Sequence, residues 1–169
     1  MLSEQVFSRA PIKCFWLLSL FSSTALAFET CYTSTEQIAS LSSGQSELKT
    51  SYIEISKLDN AYAIQGLLWG GNFHICSIQS PVEGQQAPLL MQTHGKQLVF
   101  ELKQADYDID CRLEFSFDND ALLIKDTNSH CSQYVFSCGA HVSLHQTRLV
   151  KTAESCTQLF PHRLNMEQQ

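Results

Sequence analysis

CRLEFSFDNDALLIKD, residues 111 to 126, alternates apolar and polar side chains up to a short turn, and a second, mostly apolar run follows the turn. Its apolar positions are Cys111, Leu113, Phe115 and Phe117. Successive residues of a strand point to opposite faces, so this alternation predicts a strand with one face in a core and one in water. The Asp118-Asn119-Asp120 turn and the run ALLIKD then predict a second strand.

The same pattern continues in both directions along the chain. SYIEISKL and AYAIQGLLW, at 51–58 and 61–69, flank the turn residues Asp59-Asn60 and predict a hairpin. PLLMQTHGKQLVFELK predicts two strands that meet at His94-Gly95, and VSLHQTRLVK predicts the last strand. Short strands separated by frequent turns favour a mostly β chain, either an antiparallel β-sandwich or a small barrel.

One segment near the N-terminus departs from this pattern. Between Thr33 and Leu41, Ser34 or Thr35 is a candidate cap, and Ile38 and Leu41 have helical spacing. We therefore expect a short N-terminal helix beside the sheet.

The N-terminus has the pattern of a secretory signal peptide. Lys13 precedes the apolar run CFWLLSLFSSTALA, which ends in the small residues Ala25 and Ala27. A spanning helix needs roughly 20 apolar residues, and this run is shorter and contains serines. We expect cleavage after residue 27 and a single β-rich domain over 28–169, with no membrane insertion after cleavage.

Cysteine content indicates the compartment. Of seven cysteines, Cys14 lies in the predicted signal peptide, which leaves six: Cys31, Cys76, Cys111, Cys131, Cys138 and Cys156. An even number in an exported chain predicts disulfides, in a periplasmic or secreted protein. Sequence does not fix the pairing; the preferred one is Cys131–Cys138, Cys76–Cys111 and Cys31–Cys156. The absence of an Asn-x-Ser/Thr acceptor fits a bacterial source.

The charge balance limits the classes of partner. The net charge is −6, and cleavage would remove two basic residues and one acidic residue, which gives −7. Nucleic acid and anionic membranes require clustered Lys and Arg, so neither is expected. A charge-steered partner would be a basic protein.

Motifs for catalysis and metal binding are weak. There is no Gly-x-Ser-x-Gly, Cys-x-x-Cys or His-Glu-x-x-His pattern. His130-Cys131 with Cys138 and His141 lacks zinc-finger spacing, and disulfides explain these cysteines better. The alternating aspartates at 106, 108 and 110 are interpreted as a solvated strand edge rather than a calcium or glycosidase site. We expect no catalytic residues, metal or cofactor.

GLLWGGNFHICSIQS, residues 66 to 80, has two interpretations. Two glycines and an asparagine between extended runs are typical of a hairpin turn. Exposed aromatic residues on a loop are also typical binding anchors, which makes Trp69, Asn72 and His74 candidate binding residues. We expect Trp69 to be partly buried, and His74 to be more exposed than Phe73 and Ile75.

Residues 111 to 151 contain an alternating strand, a second strand ending in Asp126, a loop from Cys131 to Cys138-Gly139-Ala140 and a last strand. This arrangement resembles a module of small exported bacterial proteins associated with lysozyme-inhibitor families. The resemblance implies an antiparallel β domain that opposes lysozymes. The leading hypothesis is an exported protein-binding module that inhibits lysozyme. Neutralisation of a toxin, binding of another envelope protein and an unrecognised enzyme remain alternatives, and the sequence leaves the oligomeric state open.

Overall fold

The computed structural model describes residues 29–82, 87–136 and 138–161. The predicted signal peptide, residues 1–27, lies outside these ranges. Nine strands contain most of the described residues. They are β1 (Glu29–Ala39), β2 (Ser46–Lys57), β3 (Tyr62–Trp69), β4 (Ile75–Ile78), β5 (Leu89–His94), β6 (Gln97–Gln104), β7 (Ile109–Asp118), β8 (Ala121–Asp126) and β9 (Thr147–Lys151).

Eight of these strands close into an antiparallel barrel. The order β1-β2-β3-β5-β6-β7-β8-β9 returns to the start because β9 pairs with β1 at Tyr32 and Thr33. The remaining strand, β4, pairs with the second half of β3, whose first half pairs with β5. The mostly β prediction is confirmed, and the architecture is a barrel with one added strand.

Side chains fill the barrel interior because each strand alternates as the sequence predicts. Leu113 and Phe115 of β7, Ile53 of β2 and Ile64 of β3 are fully buried in one continuous cluster. An eight-stranded barrel is just wide enough for such side chains to meet across its axis. The interior is therefore a packed core over most of its length.

The predicted hairpins are confirmed. β2 and β3 meet through the turn at 58–61, and β7 and β8 meet through the turn at Asn119. β5 and β6 meet at Gly95, whose φ of +61° is in the left-handed region that glycine adopts without strain. Local turn chemistry was sufficient to locate these three connections.

The helix predicted between Thr33 and Leu41 is wrong, because the structure has strand β1 there. β1 pairs with β2 over its full length, from Glu29 opposite Ser56 to Ala39 opposite Ser46. A continuous ladder of backbone hydrogen bonds outweighs a single local cap. The threonines of the segment also favour extended backbone.

The six cysteines outside the predicted signal peptide form three disulfides, and only one pairing is as predicted. Cys31–Cys156 is confirmed, whereas Cys76 pairs with Cys138 and Cys111 pairs with Cys131. The predicted Cys76–Cys111 link is wrong because β4 pairs with β3, while β7 lies between β6 and β8. The predicted link between residues 131 and 138 is wrong because each of these cysteines faces a strand cysteine instead.

One end of the barrel is closed by the segment 127–146. It contains a π-helical turn, Cys131–Val135, and one cysteine of each of the two disulfides that were not predicted. The buried carboxylate of Asp126 holds the start of this turn, since it accepts the backbone N–H groups of Cys131 at 3.3 Å and Ser132 at 2.9 Å. This segment and the β1–β2 connection lie at the same end of the barrel, which we call the closed end.

A short helix, α1 (Cys156–Leu159), packs on the outside of the barrel. The Cys31–Cys156 disulfide is buried there with Tyr52 and Leu67, and the ring of Phe160 stacks on that of Tyr52 at 4.6 Å. Within the described ranges, none of the helices has the length and apolar character needed to cross a lipid bilayer.

Candidate functional site

The long β1–β2 hairpin extends beyond the barrel wall. β9 pairs with β1 only at Tyr32 and Thr33, and β3 pairs with β2 only from Tyr52 onward. Residues 34–39 and 46–51 therefore pair only with each other among the described strands. We call residues 34–51, with the turn between the two strands, the ribbon.

The loop after β3 packs next to the ribbon. It is closed by a hydrogen bond from the Gly70 N–H to the His74 carbonyl at 2.9 Å, around a 3-10 turn, Gly71–Phe73. Asn72 and Phe73 have φ values of 59° and 58°. Asparagine tolerates this left-handed region, but phenylalanine does so only at a cost, so the surrounding contacts must hold the loop.

Two glycines allow the loop to pack against the closed end of the barrel. A Cβ at Gly70 would lie 2.2 Å from the carbonyl oxygen of His141, so only glycine fits there. The neighbouring Gly71 N–H donates to the same oxygen at 3.2 Å. On the other side, a Cβ at Gly139 would lie 2.6 Å from the Cβ of His74. The loop and the segment 127–146 therefore pack backbone against backbone.

Asn72, a predicted binding residue, links the loop to the ribbon. Its side-chain Oδ1 accepts the backbone N–H of Leu41 at 3.2 Å. This hydrogen bond joins residues 31 positions apart in the chain. Asn72 therefore has a structural role, because its hydrogen bond holds the ribbon turn against the loop.

Trp69, the second predicted binding residue, is half-buried, as expected. Its backbone N–H donates to the Ser51 hydroxyl at 2.9 Å. Its side chain packs against the buried cluster outside the barrel that contains Tyr52, Leu67 and the Cys31–Cys156 disulfide. The Lys49 ammonium lies 5.0 Å from the Trp69 ring centroid and 5.4 Å from that of Phe73. This cation–π arrangement adds attraction between the ribbon and the loop.

The ribbon also exposes large aliphatic side chains. Leu41 is 82% exposed and Leu48 is 73% exposed, the first on the turn and the second on β2. We define the ribbon–loop surface by Leu41, Leu48, Lys49, Trp69, Asn72 and Phe73. Apolar side chains this exposed are common in contact surfaces.

His74, the third predicted binding residue, is not the most exposed residue of its segment. It is half-buried, whereas Ile75 is 43% exposed, so that prediction is wrong. The reason is that β4 begins at Ile75 and turns Cys76 and Ile78 into the core. The His74 ring lies 5.1 Å from that of His141, and its Nδ1 is buried without a hydrogen-bond partner among the described residues.

The aspartates at 106, 108 and 110 do not share one strand face. Asp106 lies in a 3-10 turn, Ala105–Tyr107, and Asp108 ends that turn with a φ of 53°. Asp110 lies in β7, where Lys103 forms an ion pair with it at 3.3 Å. The strand-edge interpretation is therefore wrong for the first two, which belong to a turn.

The histidines considered for zinc binding have other contacts. His130 accepts the backbone N–H of Asp110 at 3.1 Å, and His141 packs against His74. Cys131 is disulfide-bonded to Cys111, and Cys138 to Cys76. In the part of the chain that the structure describes, no three His, Cys, Asp or Glu side chains come together in a way that could hold a metal ion.

Ion pairs on the outer face of β7 form a separate polar group. Arg112 contacts Glu101 and donates to Glu114 at 2.6 Å, and Lys125 lies 3.4 Å from the second Glu114 oxygen. The hydrogen bond from the guanidinium is the largest cause that lowers the pKa of Glu114, against a smaller opposing effect of burial. This network is on the outer surface of the barrel.

Several residues of the site were missed by sequence reasoning. Leu41 was assigned to a helix face, and Leu48 and Lys49 were not singled out. The signal that could have found them is the polar SSGQSE stretch between two runs of strand-forming residues, which is hairpin chemistry. Asp126 was noted only as a strand end, although a carboxylate just before a tight turn is a typical backbone cap.

Comparison with known proteins adds no further residue to this site. A scan against protein-family models, a search of curated proteins and a search of solved structures each found no match. The function is therefore inferred from the residues of the chain itself.

Proposed function

We propose that this chain is an exported binding protein whose ribbon–loop surface attaches to a basic protein, with lysozyme as the leading partner. It acts by occupying its partner and not by catalysis. The observation that carries the proposal is the pair of highly exposed leucines, Leu41 and Leu48, on a ribbon that is hydrogen-bonded to the loop through Asn72.

The packing of the surface favours binding because little order has to be gained on association. The Asn72 hydrogen bond fixes the ribbon turn, and the contact of Gly70 with His141 fixes the loop. The Cys76–Cys138 disulfide adds a covalent link between β4 and the segment behind the loop. A preorganised surface loses less conformational entropy when it binds, which increases affinity.

The charge of the chain favours a basic partner. The ribbon contains Glu36, Glu47 and one basic residue, Lys49, whose ammonium is already paired with Glu47 at 2.7 Å. With the signal peptide removed, the whole chain has the net charge of −7 given above. Opposite net charges accelerate association and improve specificity. The three disulfides fit an oxidising compartment, and we place the protein in the periplasm or outside the cell.

A lysis assay tests this proposal. Purified protein spanning residues 28–169 should slow the clearing of a peptidoglycan suspension by a basic lysozyme, and added salt should weaken the effect. Replacing Leu41 and Leu48 together by serine should reduce the inhibition about tenfold or more, as expected for central apolar contacts. Leu90→Ser with Leu123→Ser is the matched control, because these leucines are exposed on β5 and β8.

Two results would contradict the proposal. Undiminished lysis at large molar excess, across several lysozyme types, would exclude lysozyme as the partner. Equal inhibition by the ribbon variant and the control variant, both shown to be folded by their unfolding midpoints, would exclude the ribbon–loop surface as the contact.

A further inference from the structure

The end of the barrel opposite the ribbon contains a cavity of about 360 Å³, which we call the mouth cavity. Its floor is formed by Tyr32, Ile55 and Leu98, which are all buried, and its wall includes Tyr62 and Phe117. Small-molecule sites in proteins have volumes of roughly 300–1,000 Å³ and are mostly apolar. The mouth cavity lies at the small end of this range.

The depth of the cavity limits the size of its ligand. Below the floor, the interior is filled by fully buried side chains such as Ile53, Leu113 and Phe115, so a long chain cannot thread the barrel. The rings of Tyr32 and Phe117 lie 6.0 Å apart at a tilt of 45°, which leaves aromatic surface on the wall. The cavity therefore suits one compact apolar or aromatic group.

Two cationic residues line the rim of the same cavity. Lys57 ends β2 and Lys96 lies in the β5–β6 turn, and both are exposed. Both line the same opening because β2, β3, β5 and β6 follow one another in the sheet. Lys57 and Lys96 are the charged residues among the described residues that line this cavity, in a chain with more acidic than basic residues, and Asp120 lies outside the lining.

We propose that the mouth cavity is a second binding site, which takes a small amphipathic anion whose apolar or aromatic body enters the cavity while its carboxylate or sulfonate stays between Lys57 and Lys96. Tyr32 lies on the floor of this site, where burial, and to a lesser extent the charge of Asp120, raise the pKa of its phenol. This site is distinct from the ribbon–loop surface and does not depend on the function proposed for it.

Fluorescence titration with two related probes tests the site. The probes are 1-anilinonaphthalene-8-sulfonate, an aromatic anion, and N-phenyl-1-naphthylamine, its uncharged counterpart. The anion should bind saturably to the folded protein with one site per chain. Lys57→Gln with Lys96→Gln should weaken the anion about fivefold, as expected for two exposed charge contacts, and should leave the neutral probe nearly unchanged. Lys103→Gln with Lys125→Gln changes the net charge equally, away from the cavity, and should alter neither.

A second variant separates the cavity from other surfaces. Thr93 lines the mouth cavity and is exposed, so Thr93→Trp should fill the opening without burying a new polar group. Loss of saturable binding of the anion in this variant, with an unchanged unfolding midpoint, supports the site. Unchanged binding in Thr93→Trp, an equal effect of the two lysine pairs, or no saturable binding to the native protein would overturn it.

Discussion

Replacing Gly70 by alanine tests whether the loop is clamped against the closed end of the barrel. The backbone at Gly70, with φ of −139° and ψ of −174°, is extended and suits any residue, so conformational strain is not the issue. The added methyl group would instead lie 2.2 Å from the His141 carbonyl oxygen and 2.9 Å from the Val142 Cα. Both are backbone atoms, which cannot rotate out of the way.

The cost of this substitution follows from the displacement it requires. The His141 carbonyl would have to withdraw by more than 1 Å to reach ordinary contact at 3.4 Å, and the Gly71 N–H would lose its hydrogen bond to that oxygen. Overpacking typically costs about 1–3 kcal/mol, and a lost hydrogen bond costs about 1 kcal/mol. We expect Gly70→Ala to lower the free energy of unfolding by about 2–4 kcal/mol.

Equilibrium unfolding in urea, without reductant and followed by Trp69 fluorescence, measures this effect. Gly71→Ala is the matched control, because its Cβ would lie 3.3 Å from the His141 Cβ, which is close to ordinary contact at 3.4 Å. The control should change the free energy of unfolding by less than about 1 kcal/mol. Equal stability losses in the two variants, or no loss in Gly70→Ala, would refute the clamped arrangement.

Three further predictions concern stability. Asp126→Asn should lower the free energy of unfolding in urea by about 2–3 kcal/mol, because a buried carboxylate that accepts two backbone N–H groups is replaced by a neutral amide. Asp106→Asn is the control: this residue is exposed, so the loss should be less than about 0.5 kcal/mol. Removing the Cys31–Cys156 disulfide with two alanines should cost about 4–5 kcal/mol by loop entropy, since the link spans 125 residues, and a loss below about 1 kcal/mol would count against it. Glu114→Gln should lower the free energy of unfolding at neutral pH, because the neighbouring guanidinium holds the folded-state pKa of this carboxyl below 4.5. The difference from the native protein should disappear as the pH falls below 4.5. A difference that persists in acid would contradict this.

Local patterns were sufficient to predict the strands, but not their closure into a barrel. Alternation over 111–117 located β7, and turn residues located three hairpins. The pairing of Tyr32 with Lys151 joins residues more than a hundred positions apart, and no local signal specifies it. The same limit explains the disulfides, since the partner of Cys76 depends on where the segment 127–146 folds.

The candidate site was predictable in part for a similar reason. The Gly-Gly-Asn turn after Trp69 identified the loop, because its residues tolerate unusual backbone angles. The ribbon was missed because Leu41 was interpreted as part of an amphipathic helix, whereas it lies on an exposed turn. Its exposure follows from the pairing of β1 with β2 beyond the barrel wall, which is a tertiary property.

The Cys31–Cys156 disulfide also gives the molecule the topology of a ring. A single cut of the backbone anywhere between these two cysteines, at the ribbon turn for example, leaves both fragments covalently attached. A protein nicked by an extracellular protease would therefore migrate as one species on a non-reducing gel and separate only after reduction.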